Sequence, residues 1–270
     1  LSGIGFLLGA MACFALLEAL LPLHKRNSWN KQHLVPNLAL TFLTFATNLL
    51  MNIPMLAGLI WLQSMGWGLF NVVEVHPLLA FAGAILMLDL AWYVTHVSMH
   101  KSPALWRLHL VHHSDPAVDV TTAIRQHPGE SLVRYVFLAG FGFAIGAAPA
   151  AFAVYRVWSA LHGMFEHANL KLPLWLDTAI SFVLSSPNMH KVHHSRDAQF
   201  TDRNFTNIFS IWDRLFGTFT PARHGRNVDY GLHGYDEPKQ QTVGGLLAAP
   251  FRSAPSGESA GVETPGGASA

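Results

Sequence analysis

The stretch LHLVHHSDP, residues 108–116, places three histidines within five positions, and NMHKVHHSR, residues 188–196, repeats the H-x-x-H-H spacing about eighty residues further on. On a helix, positions i, i+3 and i+4 form one patch, so His109, His112 and His113 share a surface, as do His190, His193 and His194. Two pairs accompany them. His96 and His100 are spaced i, i+4, and His162 and His167, in HGMFEH, are five apart, which suits a turn of helix followed by a helix end. A lone histidine is ordinarily a surface or satisfied core residue, and His24, His33, His76, His224 and His233 are read that way. Four clusters in one chain have another cause: ten imidazoles suffice for two metal ions with roughly four to six ligands each.

The rest of the composition sets the environment. Of 270 residues, 51% are hydrophobic and 12% charged, with a mean hydropathy of +0.29. A soluble domain carries about a quarter charged residues, so the chain reads as lipid-facing. A formal net charge of +1 without a basic stripe excludes nucleic acid as a partner. The single cysteine, Cys13, excludes an intrachain disulfide framework and Cys-based zinc or iron–sulfur sites. Any metal must be held by histidine or carboxylate.

Residues 3–23 are long and apolar enough to cross a hydrocarbon core of roughly 30 Å. The rival reading, a cleaved signal peptide, needs a basic segment ahead of the apolar run, and none precedes it. The chain opens on Leu1 in place of Met, consistent with an alternative start codon or a truncated N-terminus. A second span is expected over 38–62, kinked by Asn52 and Pro54, and a third over 77–94. The first loop holds Lys25, Arg26 and Lys31, whereas residues 63–76 hold no Lys or Arg, so the positive-inside rule puts the first loop, and with it His96 and His100, on the cytoplasmic side. As one straight helix, residues 132–161 would reach about 45 Å and strand the later histidines on the far side. Gly140, Gly142 and Gly146 followed by Ala147-Ala148-Pro149 favour a break, giving helices over 132–147 and 150–165 that form a hairpin; one continuous span is the alternative. Residues 172–184, interrupted by Asp177 and Ser181, suit an interfacial or buried helix. The expected architecture is therefore an all-α integral membrane protein of about four transmembrane or hairpin helices with a cytoplasmic histidine-rich helical cap. Its membrane-embedded domain covers 1–238, and a Gly-, Ser-, Ala- and Pro-rich disordered tail covers 239–270.

Imidazole suits zinc, copper, iron or nickel, so ligand type alone leaves the metal open. There is no H-E-x-x-H, HGMFEH is one residue too long for H-x-x-E-H, and the Glu and Glu-x-x-His set of four-helix di-iron proteins is missing. Adjacent His-His pairs favour two close metals that activate a small molecule. Asp89, two helical turns before His96, is a functional candidate as an ionisable group inside a span, expected to orient a ligand histidine through its second ring nitrogen. The structural alternative is a partner for a backbone or hydroxyl group. Glu166, Asn188, Asn169 and Asp197 are weaker candidates for similar support. Trp212-Asp213-Arg214 is expected to close the cap by packing and pairing, without a catalytic role.

The order H-x-x-x-H, H-x-x-H-H, a further His pair and H-x-x-H-H resembles the fatty acid hydroxylase and sterol desaturase superfamily of membrane oxygenases. Asp89 with Trp92-Tyr93, LWRLHLVHHSD, RQHP at 125–128, HGMFEHANL, and NFTNIFSIWDRLFGTF at 204–219 match as well, so the likeness covers about residues 75–235. One departure is Val97, where many members carry a basic residue. The resemblance implies a centre of two iron ions that uses O2 and two electrons to hydroxylate or desaturate a lipid such as a sterol or fatty acyl chain. By matching position its metal ligands would be His96, His100, His109, His112, His113, His162, His167, His190, His193 and His194, with His127 a ligand or a close support. The electron donor would be external, a b-type cytochrome or a ferredoxin with its reductase, since the chain has no nucleotide-binding glycine-rich motif or haem-attachment motif. The expected location is a bacterial inner membrane with the metal site facing the cytoplasm. Two other classes compete: a histidine-based metal transporter, which would place ionisable groups along the spans, and a zinc-dependent membrane hydrolase, which would need a catalytic Glu in a zincin-like motif.

Overall fold

The computed structural model describes residues 2–25 and 30–252, and these are helical, with three isolated β-bridges and no strand. α1 (Ser2–Leu20) is apolar apart from Glu18, which is buried and accepts from the Val120 and Asn169 amides, and it leaves Phe6, Leu16 and Leu20 outward. α2 (Asn30–Ser64) runs longer than expected at both ends and carries Pro36 and Pro54 within it. A one-turn α3 (Leu69–Val72) leads to α4 (Pro77–Lys101), capped by His76, whose ring accepts from the Leu78 amide. Three segments, beginning at Gly3, His33 and Pro77, are long and apolar enough to cross a membrane. Their outward residues, such as Leu50, Ile53, Ile60 and Leu79, are exposed apolar side chains, as a lipid solvent requires.

Two prolines then decide where the histidines go. Ser102 is extended ahead of Pro103, which ends α4 and starts α5 (Pro103–His113), folding His109 and His113 back against His96 and His100. Farther on, α6 (Pro128–Ile145) ends at Gly146 in the left-handed conformation, φ 66°, and Pro149 starts α7 (Pro149–His167). The expected hairpin is therefore present. A Cβ on Gly146 would lie 2.5 Å from Asn71 Nδ2, so glycine here both permits the turn and lets the hairpin tip pack on the α2–α4 connection.

α8 (Leu174–Ser181) buries Asp177 and Ser181 and exposes Trp175, with Phe182 exposed just beyond it, the inverted amphipathicity expected at a membrane interface. α9 (Pro187–His193) carries the second H-x-x-H-H motif and packs on a 3-10 turn at Ala222–Asn227. There the Gly225 backbone comes so close that an added Cβ would sit 1.8 Å from the Asn188 carbonyl oxygen. Gly225→Ala is expected to cost at least about 2 kcal/mol, measured as a lower unfolding midpoint in detergent, with loss of bound metal as α9 is displaced.

After α10 (Ile211–Leu215) the chain stays ordered past residue 238. α11 (Val243–Ala248) buries Leu246 against Leu40, Leu110 and Val111, and Gln241 donates to the Ser114 and Tyr235 carbonyls. The expected tail boundary is thus corrected: composition marked residues 239–252 as unable to build a core, but they are recruited to one built by others. The tail expected over 253–270 lies outside the described residues.

Candidate metal centre

Nine of the ten expected ligands converge in two groups, His96, His100, His109, His113 and His193 in one, and His112, His167, His190 and His194 in the other, with ligand atoms in each group within 4.8 Å of one another. The H-x-x-H-H spacing explains the partition. In the first motif the i, i+4 pair His109 and His113 joins the first group while His112 turns to the second. In the second motif the pair His190 and His194 joins the second group while His193 turns to the first. Adjacent histidines thus serve different groups, and the His113 and His194 rings stack 4.6 Å apart where the groups meet.

The hydrogen bonds at the outer ring nitrogens fix what the inner ones can do. Nδ1 of His96 donates to the Phe205 carbonyl at 2.7 Å, His193 to Arg203 at 2.8 Å, His167 to Gly163 at 2.7 Å, and His112 to Arg125 at 3.3 Å. A carbonyl only accepts, so these imidazoles carry the proton on Nδ1 and aim an Nε2 lone pair inward. Inward, Nε2 atoms face each other at 3.0 Å between His96 and His109, 3.1 Å between His167 and His112, and 3.1 Å between His190 and His167. Where both partners are held in that tautomer, as His167 and His112 are, the contact cannot be a hydrogen bond. Facing lone pairs repel unless a cation lies between them. Burial and neighbouring imidazoles hold His109, His112, His113, His190, His193 and His194 well below the ordinary histidine value, keeping them in the neutral form that metals bind. The buried donor set therefore fits two metal ions.

Carboxylates lie beside three more outer nitrogens, close enough to act through charge although His109 Nδ1 and His190 Nδ1 make no aligned hydrogen bond. Glu130 Oε1 lies 3.2 Å from His109 Nδ1, Asp202 Oδ1 lies 3.5 Å from His100 Nδ1, and Glu166 Oε2 lies 3.5 Å from His190 Nδ1. Glu166 was anticipated; Glu130 and Asp202 were not. The signal for Glu130 was a lone acidic residue in the first turn of an apolar helix, with Arg134 one turn later, whose Nε donates to it at 2.9 Å. Glu130→Gln is expected to weaken metal binding about tenfold to a hundredfold while leaving the fold intact, as read by competition with a chelator.

Four anticipated residues stand elsewhere. His162 Nε2 donates to the Ser185 carbonyl at 2.9 Å and belongs to neither group. His127 accepts from the Gly129 amide at 3.0 Å and caps α6, where the pre-proline extended backbone sets it. Asn188 donates to Asp177 and ties α9 to α8. Asp89 touches no histidine. It accepts from the Phe209 amide and Trp212 Nε1, both at 3.0 Å, and from the Ile208 amide at 3.3 Å, so it fixes the segment whose Phe205 carbonyl orients His96. That corrects the expected direct contact in favour of the backbone alternative. Asp213 supports the same segment through the Phe205 and Thr206 amides, consistent with a packing and pairing role. Asn169 binds the His24 carbonyl, and Asp197 caps a local turn at Gln199.

His33, set aside as a core histidine, is buried between Asp115 at 2.6 Å and Asp119 at 3.2 Å. Asn37 and Arg125 join this network, which ties α2 to the loop after His113. A cavity of about 450 Å³ reaches His96, His112, His167 and His190 from among α1, α2, α6 and α7. Another, of about 610 Å³, reaches His100, His113 and His194 past Trp106 and Arg196. Both have the size of small-molecule sites.

Fold and centre together define a membrane-embedded helical protein whose histidines form two adjoining groups, each able to hold a metal ion. The fatty acid hydroxylase family model matches residues 81–218, about half of the chain, and the chain belongs to that family. It is 34% identical to alkylglycerol monooxygenase of Danio rerio over 55% of this chain and 32% of that protein, and 29% identical to the Homo sapiens alkylglycerol monooxygenase over 61% and 35%. It is 25% identical to the ornithine lipid hydroxylase OlsE of Rhizobium tropici over 84% of this chain and 70% of the relative. The chain thus spans about a third of the length of the alkylglycerol monooxygenases it matches. No solved structure matches it.

Proposed function

We propose that this chain is a lipid oxygenase that holds two iron ions in its two histidine groups and uses O2 and two electrons to hydroxylate or desaturate a lipid. The observation that carries the reading is the tautomer pattern: outer nitrogens donate to carbonyls while inner lone pairs converge. His96, His100, His109, His113 and His193 would hold one iron and His112, His167, His190 and His194 the other. Bound iron would supply the oxidising power for an unactivated C–H bond, which side-chain acids and bases lack. The protein's own contributions are a dry chamber, fixed ligands held by Phe205, Arg203, Gly163 and Arg125 carbonyls, and a cavity open toward lipid. The names of the relatives, two lipid monooxygenases and a lipid hydroxylase, support O2 chemistry over zinc hydrolysis or transport.

On this reading electrons come from a separate b-type cytochrome or ferredoxin with its reductase. The positive first loop supports a cytoplasmic site, and the R. tropici relative supports a bacterial inner membrane. The test is metal analysis with Mössbauer spectroscopy on iron-57-enriched protein purified gently in detergent. About two coupled irons per chain are expected. Mononuclear zinc, or no metal in freshly isolated active protein, would overturn the proposal in favour of the hydrolase or transporter.

A further inference from the structure

An arginine lies where a lipid-facing helix has little reason to keep one. Arg156, midway along α7, lines the 450 Å³ cavity. Its guanidinium carbon lies 5.1 Å from the Tyr135 ring centroid and its guanidinium meets the neutral Tyr135 hydroxyl, but its Nε is buried with no hydrogen-bond partner, and no carboxylate pairs with it among the described residues. The other arginine in the cavity, Arg134, shows the contrast, because Glu130 neutralises it. An ionisable group at membrane depth is expensive unless it meets a partner, and here the available partner space is the cavity itself.

Polar atoms surround that space. Tyr135 Oη donates to Asn52 Oδ1 at 2.6 Å, and Asn48 and Asn52 line the same end of the cavity. Gly3, Leu49 and Val157, also on the lining, are exposed on helix faces that meet lipid, so this end opens sideways to the bilayer. Glu166 and His167, at the metal end, lie ten and eleven residues further along α7, about 15 Å away at helical rise.

We propose that Arg156, with the side-chain NH2 groups of Asn48 and Asn52 beside Tyr135, which holds Asn52 through its hydroxyl, is a binding site for the anionic oxygen group, carboxylate or phosphate, of a single-chain amphiphile that enters from the bilayer. The chain of that amphiphile then lies along α7 toward the metal end, so the carbon presented there is remote from the anionic group. Only this last consequence rests on the oxygenase reading; the binding site itself does not.

The test is native mass spectrometry of the full chain in a neutral maltoside detergent, with and without metal, offered equal amounts of hexadecanoate, hexadecyl phosphate and hexadecan-1-ol. Retention of at least one anionic amphiphile is expected to exceed that of the alcohol by about tenfold, the scale of a charge-assisted contact. Which anion is held tells carboxylate from phosphate. Arg156→Gln should reduce anion retention to the level of the alcohol, and Arg156→Lys should restore most of it. If Arg156→Gln does not fold, Tyr135→Phe combined with Asn52→Leu should lower anion retention instead. Equal retention of alcohol and anions by the unaltered protein, or unchanged selectivity in the folded variants, overturns the site. Iron content is read separately in each sample, so failure of the iron reading and failure of the lipid site give different results.

Discussion

His193→Ala is expected to remove one iron of two and to lower lipid oxidation by more than about a hundredfold, because it deletes an inner lone pair that no neighbour can replace. His193 sits one position from His194 yet serves the other group, and its Nδ1 is held by the Arg203 carbonyl at 2.8 Å. His162→Ala is the counterpart. It belongs to the same sequence pattern but binds the Ser185 carbonyl, so the variant should keep both irons and lose only stability, about 1–3 kcal/mol for the unpaired carbonyl and the void left behind. His224→Ala, exposed and remote from the groups, should change neither. Metal analysis and turnover on the three purified variants check this. Loss of iron in His162→Ala, or equal activity in all three, would refute the assignment of ligands.

Asp89→Ala is expected to have the largest effect on stability. Asp89 is 1% exposed and accepts from three N–H groups, those of Ile208, Phe209 and Trp212. Its removal leaves three donors without an acceptor in a low-dielectric interior, at about 3–5 kcal/mol in total. Asp89→Asn keeps one acceptor oxygen and should cost less. The measurement is the unfolding midpoint in detergent, followed by intrinsic tryptophan fluorescence, alongside iron content. A falling midpoint with iron lost in proportion fits a residue that positions the 204–219 segment. An unchanged midpoint with iron lost would instead restore the direct contact with a ligand histidine that its place on α4 suggested.

Asp89 and His162 show where reading along one element stops. Asp89 joined the metal centre as an ionisable group inside a span, two helical turns before His96, and His162 by its matching position in the resembled family. Spacing fixes which residues share a helix surface, but not which segment of the chain arrives to occupy that surface. The 204–219 segment arrives at Asp89, and the Ser185 carbonyl arrives at His162. Glu130, Asp202 and the Asp115–His33 contact were unread for the same reason: each pairs residues 21 or more positions apart, across elements whose docking no local pattern encodes. Residues 239–252 make the point for burial, since their weak composition is compensated by an apolar surface that α2 and α5 supply.

The amino-acid order alone determined the helical membrane class, the histidine motifs and the hairpin break, because these follow from apolar run length, the 3.6-residue period, and the torsional limits of Gly146 and Pro149. It also brought into view the nine histidines that make up the two groups. Only the tertiary structure decided how those nine divide, which ring nitrogen each turns inward, and which cavity reaches them. Those properties depend on carbonyls and carboxylates contributed from distant segments, whose approach is set by the packing of the whole chain and leaves no trace at the residues they orient.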